Sequence, residues 1–125
     1  MLAKLLWIAL GGALGTLSRY GTTVALKPWS ASFPYGTLAV NLLGCLLIGL
    51  LHGLFADRWV AREETRLALL VGFLGGFTTF STFALDNSVL IERGSMMRAA
   101  MNVLASNILG VALVFAGFYL SRIRQ

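Results

Sequence analysis

The sequence predicts an all-α membrane protein built from four transmembrane helices, the third of them broken at its centre. Three observations carry that prediction. Of 125 residues, 58% are hydrophobic and only 12% are charged, about half the charged fraction of an ordinary soluble domain, and the mean hydropathy is +0.81. The apolar residues gather into four stretches long enough to cross a bilayer as helices, separated by short polar links. The third stretch carries at its middle GFLGGFTTFSTF, residues Gly72 to Phe83, a run that no uninterrupted helix favours. The length fits one domain, residues 1–125.

The first span covers Leu5 to Leu26. The opening MLAKLLWIAL continues apolar beyond the core of a signal peptide, so it reads as a retained span. Gly11, Gly12, Gly15 and Ser18 give it small-residue spacings suited to close helix contact. Arg19 lies inside this span. It either snorkels to the interface, bonds exposed backbone carbonyls, or sets a positive field beside a vestibule. Lys27 to Pro34, with two prolines, a tryptophan and serines, reads as an interfacial turn.

The second span covers Tyr35 to Phe55. Thr37, Asn41 and Gly44 fall on one helical face. The Asn41 amide offers two N–H donors and one acceptor, and desolvating it is costly. It either lines a path or glues helices by an interhelical hydrogen bond, and both readings stand on the residues alone. Cys45, the one cysteine, forms no intrachain disulfide and reads as a small buried hydrophobe. His52 reads as interfacial. The link Ala56 to Arg66 is the one strongly charged stretch.

The third span covers Leu67 to Ile91. At its centre lie Gly72, Gly75 and Gly76, then Thr78, Thr79, Ser81 and Thr82, with Phe77, Phe80 and Phe83 between them. Each interior glycine costs a helix about 1 kcal/mol, and Ser and Thr draw backbone bonds away from the ladder. A break at membrane depth survives only where it is buried in protein or lines a cavity, and it commonly marks an ion or substrate site. The plainer alternative is a helix-packing seam. Glu92 to Gly94 make a short turn, and the fourth span covers Ala99 to Leu120, where Asn102, Ser106 and Gly110 recur every fourth residue as a thin polar stripe.

Ten Lys and Arg stand against five Asp and Glu, mostly near span ends, as interfacial residues do. Lys4, Arg58, Arg62, Arg66, Arg122 and Arg124 fall on the side of the termini; Arg19, Lys27, Arg93 and Arg98 fall on or toward the other. Six against four is a weak bias that tilts toward termini inside the cell but does not impose one orientation, and insertion both ways allows an antiparallel dimer. Four spans also enclose too little for a pore and a packed core together, so an oligomer is expected.

No carboxylate sits at mid-span, and there is no metal-ligand cluster, Ser/His/Asp constellation or phosphate loop. Enzyme chemistry is therefore not expected. The interior offers neutral donors: amides, hydroxyls and the positive edges of aromatic rings. Phe80 and Phe83, three apart, can present their edges in one direction, an arrangement that suits a small dehydrated anion, although the pair also suits core or lipid contact.

With these residues the chain resembles the Fluc (CrcB) fluoride channels over all four spans. The resemblance rests on GGALGTLSRY at Gly11 to Tyr20, PYGTLAVNLLG at Pro34 to Gly44 and, above all, GFLGGFTTFSTF. It implies a dual-topology antiparallel homodimer in the plasma membrane, the inner membrane of a bacterium, with two pores that pass fluoride passively and relieve its toxicity. It implies that Asn41 is a pore-lining donor, that Phe80 and Phe83 are edge-on pore aromatics, and that Gly75 and Thr78 give backbone carbonyls to a structural Na⁺ at the dimer interface. Ser81, Thr82 and Ser106 resemble pore-side hydroxyls and Thr37 a vestibule hydroxyl. Asn102 departs from the tyrosine common in relatives, and Asp86 stands near a pore mouth where relatives often carry Glu. Two other classes share this outline. A small dimeric exporter of lipophilic cations needs a buried titratable carboxylate, which the mid-spans lack. A non-transporting assembly protein requires Asn41 and the break to be packing alone.

Overall fold

The computed structural model describes residues 1–57 and 62–123; Arg58 and Arg124, counted in the charge bias above, lie outside them. Every regular element among the described residues is helical: α1 (Leu2–Leu26), a 3₁₀ turn (Lys27–Trp29), α2 (Tyr35–Asp57), α3 (Glu63–Arg66) running into a π-helical stretch (Leu67–Phe73), α4 (Leu74–Phe77), α5 (Phe80–Glu92) and α6 (Met96–Ile123). Among the described residues three helical segments are both long and apolar enough to span a membrane: Tyr35–Ala56, Glu63–Glu92 and Met96–Ile123. α1 is 25 residues long, roughly 37 Å at 1.5 Å per residue, but its glycines, hydroxyls and Arg19 dilute its apolar character.

Two helix pairs make the frame. α1 lies along the π-helical stretch and α4, while α2 lies along α6. Glycines form both seams because only a missing Cβ lets backbones approach this closely. A Cβ on Gly72 would stand 2.6 Å from the Ile8 carbonyl oxygen, and one on Gly76 would stand 2.5 Å from that of Gly12. In the other pair, Gly49 backs onto the Val114 backbone and Gly117 onto Leu46 and Leu50. The pairs meet where α2 crosses α1 and where Gly44 takes the Thr78 methyl against its backbone.

The short connections are built locally. Pro34 starts α2 by accepting from the Leu38 N–H, where a missing proline N–H costs nothing. Gly94, at φ 73°, ends α5; Ser95 donates to the Leu90 carbonyl and Gly94 to that of Ile91, which satisfies two orphaned carbonyls in the manner of a Schellman cap. The link ends also carry tethers. Lys4 is ion-paired to Glu63, the Arg66 guanidinium lies 5.5 Å from the Phe55 ring centre, and that of Arg122 lies 4.3 Å from the Phe118 ring centre.

Little of the interior is large and apolar: Val40, Phe55, Leu74, Phe77, Leu90 and Ala99. Leucines, valines, isoleucines and aromatics remain exposed along every long helix, an apolar surface suited to lipid or to another protein chain. Gly72→Ala pushes a methyl into backbone, an overpacking worth about 1–3 kcal/mol, and is expected to lower the thermal unfolding midpoint in detergent. Gly21→Ala, where a Cβ meets nothing within 4 Å, is expected to leave it unchanged or raise it. Equal midpoints for Gly72→Ala and wild type would show that α1 does not pack this closely.

Candidate functional site

The break falls at two residues. Thr78 (φ −83°, ψ 159°) and Thr79 (φ −152°, ψ 120°) are extended, between the end of α4 and the start of α5. The helical ladder runs through Gly75 and stops when the Thr78 N–H donates to the Leu74 carbonyl at 3.0 Å. The next rung would join the Thr79 N–H to the Gly75 carbonyl. Instead Thr79 N–H donates to Asn41 Oδ1 at 2.8 Å, and Asn41 Nδ2 donates back to the Thr79 carbonyl at 2.9 Å. One amide on α2 thus satisfies both backbone groups of a buried residue, leaving its second N–H without a partner among the described residues.

The other groups at the break are handled by short-range bonds. Thr79 Oγ1 accepts from the Thr82 N–H at 3.2 Å and donates to Thr82 Oγ1 at 3.0 Å, an N-cap for α5. Thr78 Oγ1 donates to the Leu74 carbonyl at 2.9 Å. The Thr78 carbonyl accepts from Arg19 Nη1 at 3.3 Å, so of the three roles open to Arg19, bonding a freed carbonyl is the one observed. The carbonyls of Gly75, Gly76 and Phe77 then have no donor among the described residues. The Phe80 and Ser81 N–H groups, at the head of α5, have no carbonyl behind them.

Around the break opens a groove of about 400 Å³, lined by Asn41, Gly44, Cys45, Gly75, Thr78, Thr79 and Phe80 with leucines and Ile48. Phe80 is 80% exposed, and its ring centre lies 5.7 Å from that of the half-buried Phe83, with the planes tilted by 43°. The exposed Ser81 and Thr82 stand in the same first turn of α5. Asn41, Gly75, Thr78, Phe80, Ser81, Thr82 and Phe83 are therefore one neighbourhood.

The remaining site residues lie apart from it. Thr37, buried on α2, donates to Asp86 Oδ2 at 2.6 Å, so its hydroxyl is already committed. Both line a cleft of about 340 Å³ that Lys27, Arg93 and Arg98 also border. Asn102 is 1% exposed and donates to Asn87 Oδ1 at 3.1 Å, while Asn87 donates to the Phe83 carbonyl at 2.8 Å. That chain ties α6 to the turn holding Phe83. Asn102 Oδ1 and Ser106 Oγ, one turn apart, are buried without partners. The Ser106 hydroxyl can donate to whatever comes near; the free atom of Asn102 is an acceptor.

Two residues in this arrangement carry no role in the sequence reading. Asn87 is an amide in an apolar span, the same signal that singles out Asn41 and Asn102. Thr79 shows its role as N-cap through Thr82 three residues on. Gly75 differs from expectation in one respect: it is helical, and its carbonyl is freed by a bond made elsewhere, not by its own conformation. Among the described residues no group of three or more His, Cys, Asp or Glu side chains could hold a metal.

A model of the family described as "CrcB-like protein, Camphor Resistance (CrcB)" matches residues 6–118. A protein of Nitrobacter winogradskyi named fluoride-specific ion channel FluC is 46% identical over 120 residues, 95% of either chain. Proteins of the same name from Nitrosococcus oceani (45% over 124 residues, 98% of this chain and 99% of that one) and Agrobacterium fabrum (49% over 116 residues, 92% and 93%) are also similar. Thr79→Ala, which removes the cap on α5, is expected to cost about 1 kcal/mol of stability in denaturant or thermal unfolding, and Thr79→Ser to retain it. An unaffected alanine variant would mean the cap contributes nothing to the break.

Proposed function

The chain belongs to the CrcB-like family, and we propose that it is a fluoride-specific channel: a multi-pass membrane protein, not an enzyme, that lets fluoride leave the cell passively. The observation that carries this reading is the composition of the break. Where α5 begins, two backbone N–H groups without carbonyl partners, the hydroxyls of Ser81 and Thr82 and the rings of Phe80 and Phe83, whose edges carry partial positive charge, lie together at the positive end of the helix dipole. All are neutral donors. An anion passing among them exchanges water for hydrogen bonds from neutral groups, while the nearby Arg19 guanidinium is engaged by the Thr78 carbonyl.

In this reading fluoride enters through the cleft between Thr37 and Arg98, where Lys27, Arg93 and Arg98 concentrate anions. It then passes the second N–H of Asn41, Ser81, Thr82 and the Phe edges. Ser106 supplies a further free hydroxyl, and Asn102 holds Asn87 and hence the Phe83 turn. Selectivity against chloride comes from a narrow path and the field strength of its donors.

The same proposal takes α1 as a fourth span and pairs two chains antiparallel, with two pores. The near-even charge distribution and the apolar surface left exposed on every long helix support it. A Na⁺ at the interface would be held by the carbonyls of Gly75 and Thr78. The donor set fits: the Gly75 oxygen is unused, and a carbonyl has two lone pairs, so the long Arg19 bond leaves Thr78 one to give. Such a cation supplies positive potential at the midpoint of the path and ties the two breaks together.

Purified protein in liposomes is expected to release loaded fluoride rapidly and to retain chloride, read with an ion-selective electrode. Equal release of both ions, or of neither, would overturn the reading. C-terminal tags are expected on both membrane faces in comparable amounts by protease accessibility; tags on one face alone would exclude the antiparallel pair.

A further inference from the structure

We propose that Asn41 is a positioning residue for the cation at the break: by holding the Thr79 backbone, it keeps the Gly75 carbonyl free to ligate. The inference rests on the reading above that Na⁺ binds there through Gly75 and Thr78. The geometry behind it is independent of any ion. The last helical bond of α4 is Thr78 N–H to the Leu74 carbonyl. A helix continuing by one residue would place the Thr79 N–H on the Gly75 oxygen. That N–H lies 2.8 Å from Asn41 Oδ1 instead.

Thr79 is 8% exposed, so its N–H has no ready recourse to water. Without Asn41 it would be left buried and unpaired, at about 1–3 kcal/mol, and the nearest remedy is the Gly75 carbonyl one turn back. Closing that rung would occupy the Gly75 oxygen with an intrahelical hydrogen bond. A Cβ on Gly75 would meet nothing within 4 Å, so no neighbour is packed against that residue; closure would disturb the extended Thr79 cap on α5. Asn41 reaches Thr79 because Gly44, on the next turn of α2, takes the Thr78 side chain directly against its backbone. The two halves of the amide do different things. Oδ1 diverts the N–H and so frees the oxygen; Nδ2 satisfies the Thr79 carbonyl at 2.9 Å and leaves a second N–H toward the path.

That division gives the test. Wild-type protein and the variants Asn41→Leu and Asn41→Asp are exchanged at length into Na⁺ or K⁺, and thermal unfolding is compared. A cation bound to the folded state alone raises the midpoint, so wild type is expected to unfold at a higher temperature in Na⁺. Leucine matches the amide in size but accepts nothing, and the Na⁺ shift is expected to vanish. Aspartate keeps an oxygen for the Thr79 N–H and is expected to retain the shift, while fluoride efflux is lost because a carboxylate has no donor. A full shift in Asn41→Leu would overturn the inference, and so would a folded Asn41→Asp that has lost it, which decides the matter even if the leucine variant fails to fold. A wild type indifferent to Na⁺ would instead overturn the cation reading, and the inference with it.

Discussion

Two hydrogen bonds between one side chain and one backbone unit hold the centre of this protein open. In an apolar surrounding each unsatisfied backbone group costs several kcal/mol, so a broken helix persists only if its loose ends are met. Asn41 meets both groups of Thr79, Thr79 meets Thr82, and Arg19 meets the Thr78 carbonyl. What is left over is sorted by sign. Carbonyls remain at the end of α4 and N–H groups at the head of α5, so one break presents oxygens on one side and donors on the other. A cation and an anion can therefore be served by a single interruption of the chain, beside the Arg19 guanidinium bonded to its Thr78 carbonyl.

The glycine seams make that interruption mechanically affordable. α1 is pressed against the π-helical stretch and α4 through Gly11, Gly15, Gly72 and Gly76, and α2 against α6 through Gly49, Gly53 and Gly117. With backbones this close, the segment before the break rests on α1 and the segment after it leans on α6 through Asn87 and Asn102. The amide on α2 closes the gap between them. The core contains few large apolar side chains, so position is set by backbone proximity and a handful of polar bonds.

Much of this was legible in the sequence. Helical class and the interrupted stretch follow from composition and from GFLGGFTTFSTF, and Asn41, Asn102 and Thr37 stand out as polar groups in apolar spans. What local pattern cannot convey is which partner each one chooses. Asn41 offers the same amide to a path or to a helix, and the structure gives it to Thr79. Thr37 reads as an open hydroxyl, yet Asp86, 49 positions away, accepts its hydrogen bond. Asn87 carries the same signal as Asn102 but gains meaning only when α5 and α6 are laid together. The π-helical stretch has no periodic signature apart from an ordinary helix, and Gly75 matters through a bond it does not make.

The central claim is that the Thr79 N–H belongs to Asn41 and not to Gly75. Solid-state NMR on protein in lipid bilayers tests it directly, with ¹⁵N at Thr79 and ¹³C either at Asn41 Cγ or at the Gly75 carbonyl. Strong dipolar dephasing of Thr79 by Asn41 Cγ, and weak dephasing by the Gly75 carbonyl carbon, is the result this structure predicts. The reverse, a Thr79 nitrogen coupled to the Gly75 carbonyl as in a continuous helix, would contradict it.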